Sequence, residues 1–342
     1  MKTKSLINLI LAGIFVFCQS CSKDNDNPNP INPPPSIDIV GLSKIEDILN
    51  GDDQNLIDLL NIVRGSVGKK GPASKTIWSR KNDYGLGLYI SANHVYNING
   101  WSSRDAEFFD ITSENLGVFE TSQIPPTNGD IVWGNTLIAD FPLIHFDISP
   151  SATNTNILPS EDFYLGIIDN QRVEQGDFPQ YPNLVQINTP LDMYDQYNRT
   201  KLDQTWNIPY DGENTMLVGY PQDKENYPNG AVAIGKILSD LEAETIINEL
   251  KVVGDSEGDI PYNSLVEFFA EATGLAGMSG GGAFNSDGQL LGIMVRASDV
   301  ENAPKVIRVV KIAHIRSKLT EFYNGLSQTD KEKINSLISG EI

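Results

Sequence analysis

Cysteine is nearly absent from this chain of 342 residues, and its two examples, Cys18 and Cys21, both stand close to the N-terminus. Histidine occurs only as His94, His145 and His314, so imidazoles are scarce as ligands or bases. No set of Cys, His and carboxylate residues has metal-ligand spacing, and there is no phosphate-binding glycine loop or internal repeat. The apolar run Leu6 to Phe17 is too short to span a bilayer comfortably. Basic residues are also in deficit: 25 Lys and Arg face 45 Asp and Glu, a net charge of −20. A surface of that sign repels nucleic-acid phosphates and anionic lipid headgroups, which argues against both as partners.

Lys2 and Lys4 ahead of the apolar run, with small Ser20 before Cys21, read as an export signal. The site resembles those of bacterial lipoproteins, in which the cysteine is acylated and becomes the first residue. Cys18 stands where such sites usually carry leucine, and the alternative is an ordinary secretory signal cut nearby. The resemblance implies a signal peptide over 1–20 and lipid attachment at Cys21. Loss of Lys2 and Lys4 would take the net charge from −20 to −22. Cys18 would leave too, so no intrachain disulfide could form and packing alone would hold the fold. Ser22 to Asp26 is similar to the acidic stretch that sends some Gram-negative lipoproteins to the cell surface. The expected location is extracytoplasmic, lipid-anchored at the bacterial outer membrane, on its periplasmic face or at the cell surface.

Asn27 to Pro35 is too rich in proline for helix or sheet, and 21–36 should be an extended tether. Over 37–74 the pattern predicts a helical extension. Ser43-Lys44-Ile45-Glu46 has capping-box spacing, and Leu56, Leu59, Leu60 and Val63 form one helical face. From about Lys75 to 325 the texture is short β-type runs punctuated by Gly, Asn, Asp and Pro, such as Gly87 to Ser91, Met216 to Gly219 and Leu290 to Val295. Many short strands without long helices between them predict an all-β barrel or sandwich. Ile312, Ile315, Leu319 and Phe322 recur at helical spacing, and Thr329 to Glu332 has capping-box spacing for a last helix over 326–342.

Chemistry concentrates in Gly277-Met278-Ser279-Gly280-Gly281-Gly282-Ala283-Phe284. A serine hydroxyl is a poor nucleophile unless a base lies within hydrogen-bond reach and a third group fixes that base's tautomer. His94, at the end of an apolar run, suits a base facing a cleft, whereas His145 and His314 read as structural. Gly277 suits a backbone turn with positive φ that aims amides at one point, and Gly280 and Gly281 should leave room for substrate. The same residues satisfy Gly-x-Ser-x-Gly of the α/β-hydrolases, but Ser279 leads through Asn285 to Gly288 into Leu290 to Val295, a hairpin rather than a helix.

Taken with Gly85 to Val95 around His94, with Asp140-Phe141-Pro142-Leu143-Ile144 and with Val218 to Pro221, these segments resemble the trypsin-like serine proteases. The likeness is to their disulfide-free bacterial branch, with glutamyl endopeptidases and HtrA-type enzymes, and it covers roughly Thr76 to Leu319. The resemblance implies two six-stranded antiparallel β-barrels with short terminal helices and a site between them. It gives Ser279 as nucleophile, His94 as base then acid, Asp140 as the residue orienting His94, and the amides of Gly277 and Ser279 as the oxyanion hole. Asp147 is the reserve acid, and Pro142 replaces the usual small residue. The spacing from Asp140 to Ser279 is long for the family, which implies insertions within Asn154 to Asn214 and around Leu238 to Gly258. Met278 stands where animal trypsins carry the aspartate of their zymogen switch.

By the same likeness Thr273 lies at the base of the substrate pocket and Met294 on its wall, without the charge that selects a basic or acidic residue. An uncharged, small-to-medium residue at the cleavage position is expected, with Arg296 read as a solvated side chain near the rim. The implied activity is that of a serine endopeptidase acting on protein or peptide through an acyl-enzyme, with no metal or organic cofactor. The alternatives are a surface binding protein that keeps the fold without turnover and an esterase using the same three residues.

Overall fold

The computed structural model describes residues 37–70, 73–81, 86–98, 131–133, 136–138, 140–144, 157–169, 205–328 and 331. Among these, strands predominate and all named strand pairs are antiparallel. Cys21, His145, Asp147 and the start of the expected last helix lie outside the described residues. No described helix is long and apolar enough to cross a membrane.

Among the described residues, fourteen strands fall into two sheets. The first contains β2 (Val67–Lys70), β3 (Ala73–Lys81), β4 (Leu86–Ser91), β5 (Ile131–Trp133), β6 (Thr136–Ile138), β7 (Asp140–Ile144) and β8 (Tyr164–Asp169), in the order β6-β5-β2-β3-β4-β8-β7. Pro142 lies on β7, the last strand in that order, opposite Gly166 of β8 and beside a register irregularity; edge strands and bulges are where sheets accept proline. The second contains β1 (Val40–Lys44), β9 (Asn214–Gly219), β10 (Ala231–Ile237), β11 (Glu267–Glu271), β12 (Gly282–Phe284), β13 (Leu290–Ala297) and β14 (Val306–Lys311). Pairing of β9 with both β10 and β12 closes six of these into an antiparallel barrel. One closed six-stranded antiparallel barrel of the expected kind is therefore realised; the first sheet, where a second was expected, is not closed among the described residues.

Period-2 alternation explains the closure. Leu217, Ala233, Phe268, Ala283, Leu291 and Ile307, one from each barrel strand, share a single buried cluster, the barrel's interior. Their neighbours Met216, Val218, Val232, Ile234, Phe284 and Leu290 fall in a different cluster. They join Trp78, Leu88, Ile90, Phe163 and Leu165 of the first sheet in a second cluster. The strands read as continuously apolar because both faces are covered.

The N-terminal extension differs from its helical expectation. Val40–Lys44 is a strand, pairing with Ala231–Ile234 of β10 on the side where β11 holds only Lys236 and Ile237. Ser43 is not a cap: its hydroxyl donates to Gly41 O, and α1 (Ile45–Leu49) starts after Lys44 without a side-chain cap. Helix α2 (Gln54–Val63) is capped by Asp53, which accepts from Leu56 N, and buries Leu56, Leu59, Leu60 and Val63 as predicted. The expected insertion after Leu238 is helix α4 (Asp240–Val253), with α3 (Asn93–Ile98) earlier in the chain. A reciprocal Ser239–Glu242 capping box starts α4, and Gly254 at φ 78° ends it. The last described long helix is α5 (Ile312–Gly325), whose Ile312, Ile315 and Leu319 are buried.

Just before β9, burial and the nearby Asp287 push the Glu213 carboxyl from 4.5 up to about 7. A raised carboxyl favours the neutral form in the folded state, so its contribution to stability is full below about pH 4.5 and is lost as pH rises through about 7. Glu213→Gln should remove that loss. In thermal melts, its Tm relative to wild type is expected to be higher at pH 8 than at pH 5; an offset that does not change with pH would contradict this reading.

Candidate active site

Strand β4 is buried from Leu88 to Ser91 and delivers the chain into α3, so His94 emerges in the first helical turn. Its ring is met by Asp162, not by a residue of the Asp140 segment. Nδ1 lies 2.9 Å from Oδ1 and 3.0 Å from Oδ2, and the His94 backbone N–H donates to the same Oδ1 at 2.9 Å. A carboxylate only accepts, so Nδ1 carries a proton, and in the neutral ring that leaves the lone pair on Nε2. Asp162 is wholly buried, whereas the His94 side chain retains 18% exposure.

The position on His94 that the sequence reading gave to Asp140 is thus filled by Asp162, which follows a short 3-10 turn (Pro159–Glu161) and directly precedes Phe163 and β8. Asp140 opens β7, with its Cα opposite Ile168, and its side chain is outside the described set. The signal was present: Asp162-Phe163-Tyr164-Leu165-Gly166-Ile167 is also an acid followed by an apolar strand. Helix α5 braces this turn, since His314 Nε2 donates to Ser160 O at 3.0 Å and its ring meets Phe163 edge-on. Burial lowers the His314 pKa, consistent with a neutral, structural imidazole.

Ser279 sits in the loop before β12, and the following turn through Asn285 to Gly288 makes the expected hairpin with β13. Its hydroxyl donates to Val295 O at 3.3 Å. In the same loop Met278, Gly280 and Gly281 spend their amides on Leu275 O, Met294 O and Met278 O. Those of Gly277 and Ser279 have no acceptor among the described residues. Gly277 has φ 98°, and a Cβ there would lie 2.5 Å from Gln222 N.

Gly280 and Gly281 serve packing rather than substrate access. A Cβ on Gly280 would fall 2.1 Å from Ser74 O, and one on Gly281 would fall 2.3 Å from Val218 O. The loop is pressed against β3. Ser74 N donates to Ser279 O at 2.9 Å, Ser74 Oγ donates to Gly277 O at 2.7 Å, and Tyr220 N donates to Ser74 Oγ at 2.8 Å. Thr76 Oγ1 donates to Gly280 O at 3.0 Å, and Ser91 Oγ donates to Ser74 O at 2.7 Å.

His94, Gly277, Ser279, Thr273 and Met294 line one cavity of about 530 Å³. Thr273 and Met294 line it together with apolar Leu275, Ala297 and Ile307 and with charged Glu257, Asp299 and Lys305. Arg296 also lines it but is not the solvated side chain expected; it is 7% exposed and engaged with Asp162, Glu257 and Ile157 O. No group of three or more His, Cys, Asp or Glu among the described residues is arranged to hold a metal.

No family model matches the sequence, and no curated protein does. Similar solved structures include Rv3671c from M. tuberculosis H37Rv in an inactive serine-to-alanine form, at 13% identity and TM-score 0.41, over 84% of this chain and 98% of that one. Another is a serine endoprotease from Yersinia pestis, at 13% identity and TM-score 0.39, over 78% of this chain and 66% of that one. A third is the HtrA-type protease AlgW with a decapeptide, at 13% identity and TM-score 0.37, over 74% and 52%.

Removing the Ser74 hydroxyl strands both the Gly277 carbonyl and the Tyr220 amide in a buried seam. Ser74→Ala should therefore cost about 2–4 kcal/mol in chemical denaturation, and a loss under half a kcal/mol would mean that the seam does not hold the loop.

Proposed function

We propose that the protein is a serine endopeptidase using Ser279, His94 and Asp162, with Asp162 taking the role that the sequence reading gave to Asp140. The observation that carries this is the doubly bonded His94–Asp162 pair, which leaves Nε2 basic in the cavity that Ser279 also lines. For reaction, the Ser279 hydroxyl leaves Val295 O and donates to His94 Nε2. Its Oγ attacks the substrate carbonyl as the proton passes to Nε2. The Gly277 and Ser279 amides receive the developing oxyanion, and their lack of other acceptors supports that role. His94 then protonates the leaving amine, and water repeats the sequence to free the acid from Ser279.

Uncharged Thr273, Met294, Leu275, Ala297 and Ile307 in the lining support an uncharged, small-to-medium side chain at the cleavage position. An exported protein, lipid-anchored through Cys21 at the outer membrane, remains part of the proposal and rests on the N-terminal sequence pattern alone.

A fluorophosphonate probe tests the central assignment. Wild type should be labelled and Ser279→Ala should not. Asp162→Asn should label about 10³–10⁴-fold more slowly because its amide favours the wrong imidazole tautomer, while Asp140→Asn should stay within a few-fold of wild type. No labelling of wild type between about pH 6 and 9 would favour a binding protein, and hydrolysis of esters but not peptides an esterase. Thr273→Asp should bring cleavage after Arg or Lys in a peptide library; no such change would show that Thr273 does not line the primary pocket.

A further inference from the structure

Arg296 is the buried cation that joins the barrel to the acid on His94. It leaves β13 beside the Ser279 acceptor Val295, places Nε 3.7 Å from Asp162 Oδ2, and donates from Nη2 to Ile157 O at 3.1 Å. Its Nη1 meets Glu257 Oε1 at 3.4 Å. Glu257 is shared with a second buried arginine: Arg308 Nε lies 2.9 Å from Glu257 Oε2, and its Nη1 contacts Glu267 at 2.9 and 3.1 Å. The buried Asp255 caps the turn that carries Glu257 and accepts from the Asp299 and Val300 amides. His94 thus faces Asp162. Asp162 faces His94 and Arg296, Arg296 faces Asp162 and Glu257, and Glu257 faces both arginines with Asp255 nearby.

We propose that Arg296 is a positioning residue for the acid of the His94 pair, holding the Asp162 loop through Ile157 and Asp162 and drawing part of the Asp162 charge away from the imidazole. This rests on the endopeptidase reading for its consequence, but not for its geometry. A carboxylate whose charge is shared with a cation stabilises imidazolium less, so the Arg296 charge acts on the His94–Asp162 pair in the sense opposite to that of Asp162. Glu257 works against Arg296 by holding part of its charge at the far end. Burial raises the Glu257 pKa, with Arg296 and Arg308 opposing the rise.

The test is a ring-proton NMR titration of the three histidines in the whole protein, with His94 assigned through His94→Gln, alongside the pH dependence of fluorophosphonate labelling. Arg296→Met should move the His94 titration midpoint up by roughly half a pH unit or more, and the acid limb of labelling should move with it. Arg296→Lys should stay close to wild type. Glu257→Gln should move the midpoint down, which gives a reading of opposite sign should Arg296→Met fail to fold. An unchanged midpoint in a folded Arg296→Met, or in Glu257→Gln, would overturn the proposal. Midpoints that shift as expected in a protein that is never labelled would uphold the coupling and sink the endopeptidase reading instead.

Discussion

Ser74 is where the two sheets become one site. Its amide, hydroxyl and carbonyl each engage a different group, reaching the Ser279 carbonyl, the Gly277 carbonyl with the Tyr220 amide, and the Ser91 hydroxyl. All of this lies in a buried seam where an unmet polar group is costly. Two backbone carbonyls of the Ser279 loop are bound this way, while the amides at Gly277 and Ser279 have no acceptor among the described residues. The glycine at 280 follows from the same seam. No side chain fits between that Cα and the Ser74 carbonyl.

The seam fixes the serine side, and a chain of buried charges fixes the histidine side. Asp162, Arg296, Glu257, Arg308 and Glu267 run from the imidazole into the flank of the barrel. Buried ions are tolerated only when each finds partners, and here each does. Arg308 shows how: its guanidinium binds the two carboxylates and also donates to the Glu257 and Ile260 carbonyls. The acid on His94 is thereby tied to the barrel as well as to its own loop.

Much of this was legible in the residues. The leucine face of α2, the hairpin after Ser279 and the positive φ of Gly277 followed from local pattern, because local pattern dictates them. Choosing between Asp140 and Asp162 did not. Both acids precede β-type runs, and only strand pairing decides which run enters beside β4; there Tyr164 sits opposite Ser91, three residues short of His94. Arg296 was misread for a related reason. Its partners Asp162 and Glu257 are distant in sequence, and an arginine in a polar-looking strand end gives no sign of burial. Helix α4 was readable and missed: Ser239, Glu242 and Gly254 spell its start and stop.

The bond from His314 to the Ser160 carbonyl has a consequence for the timing of assembly. During synthesis, the loop bearing Asp162 gains its last brace only after the chain has grown past position 314. Residues 74, 94, 162, 279 and 296 all come earlier in the chain. A nascent fragment that stops short of α5 therefore lacks this brace on the Asp162 loop.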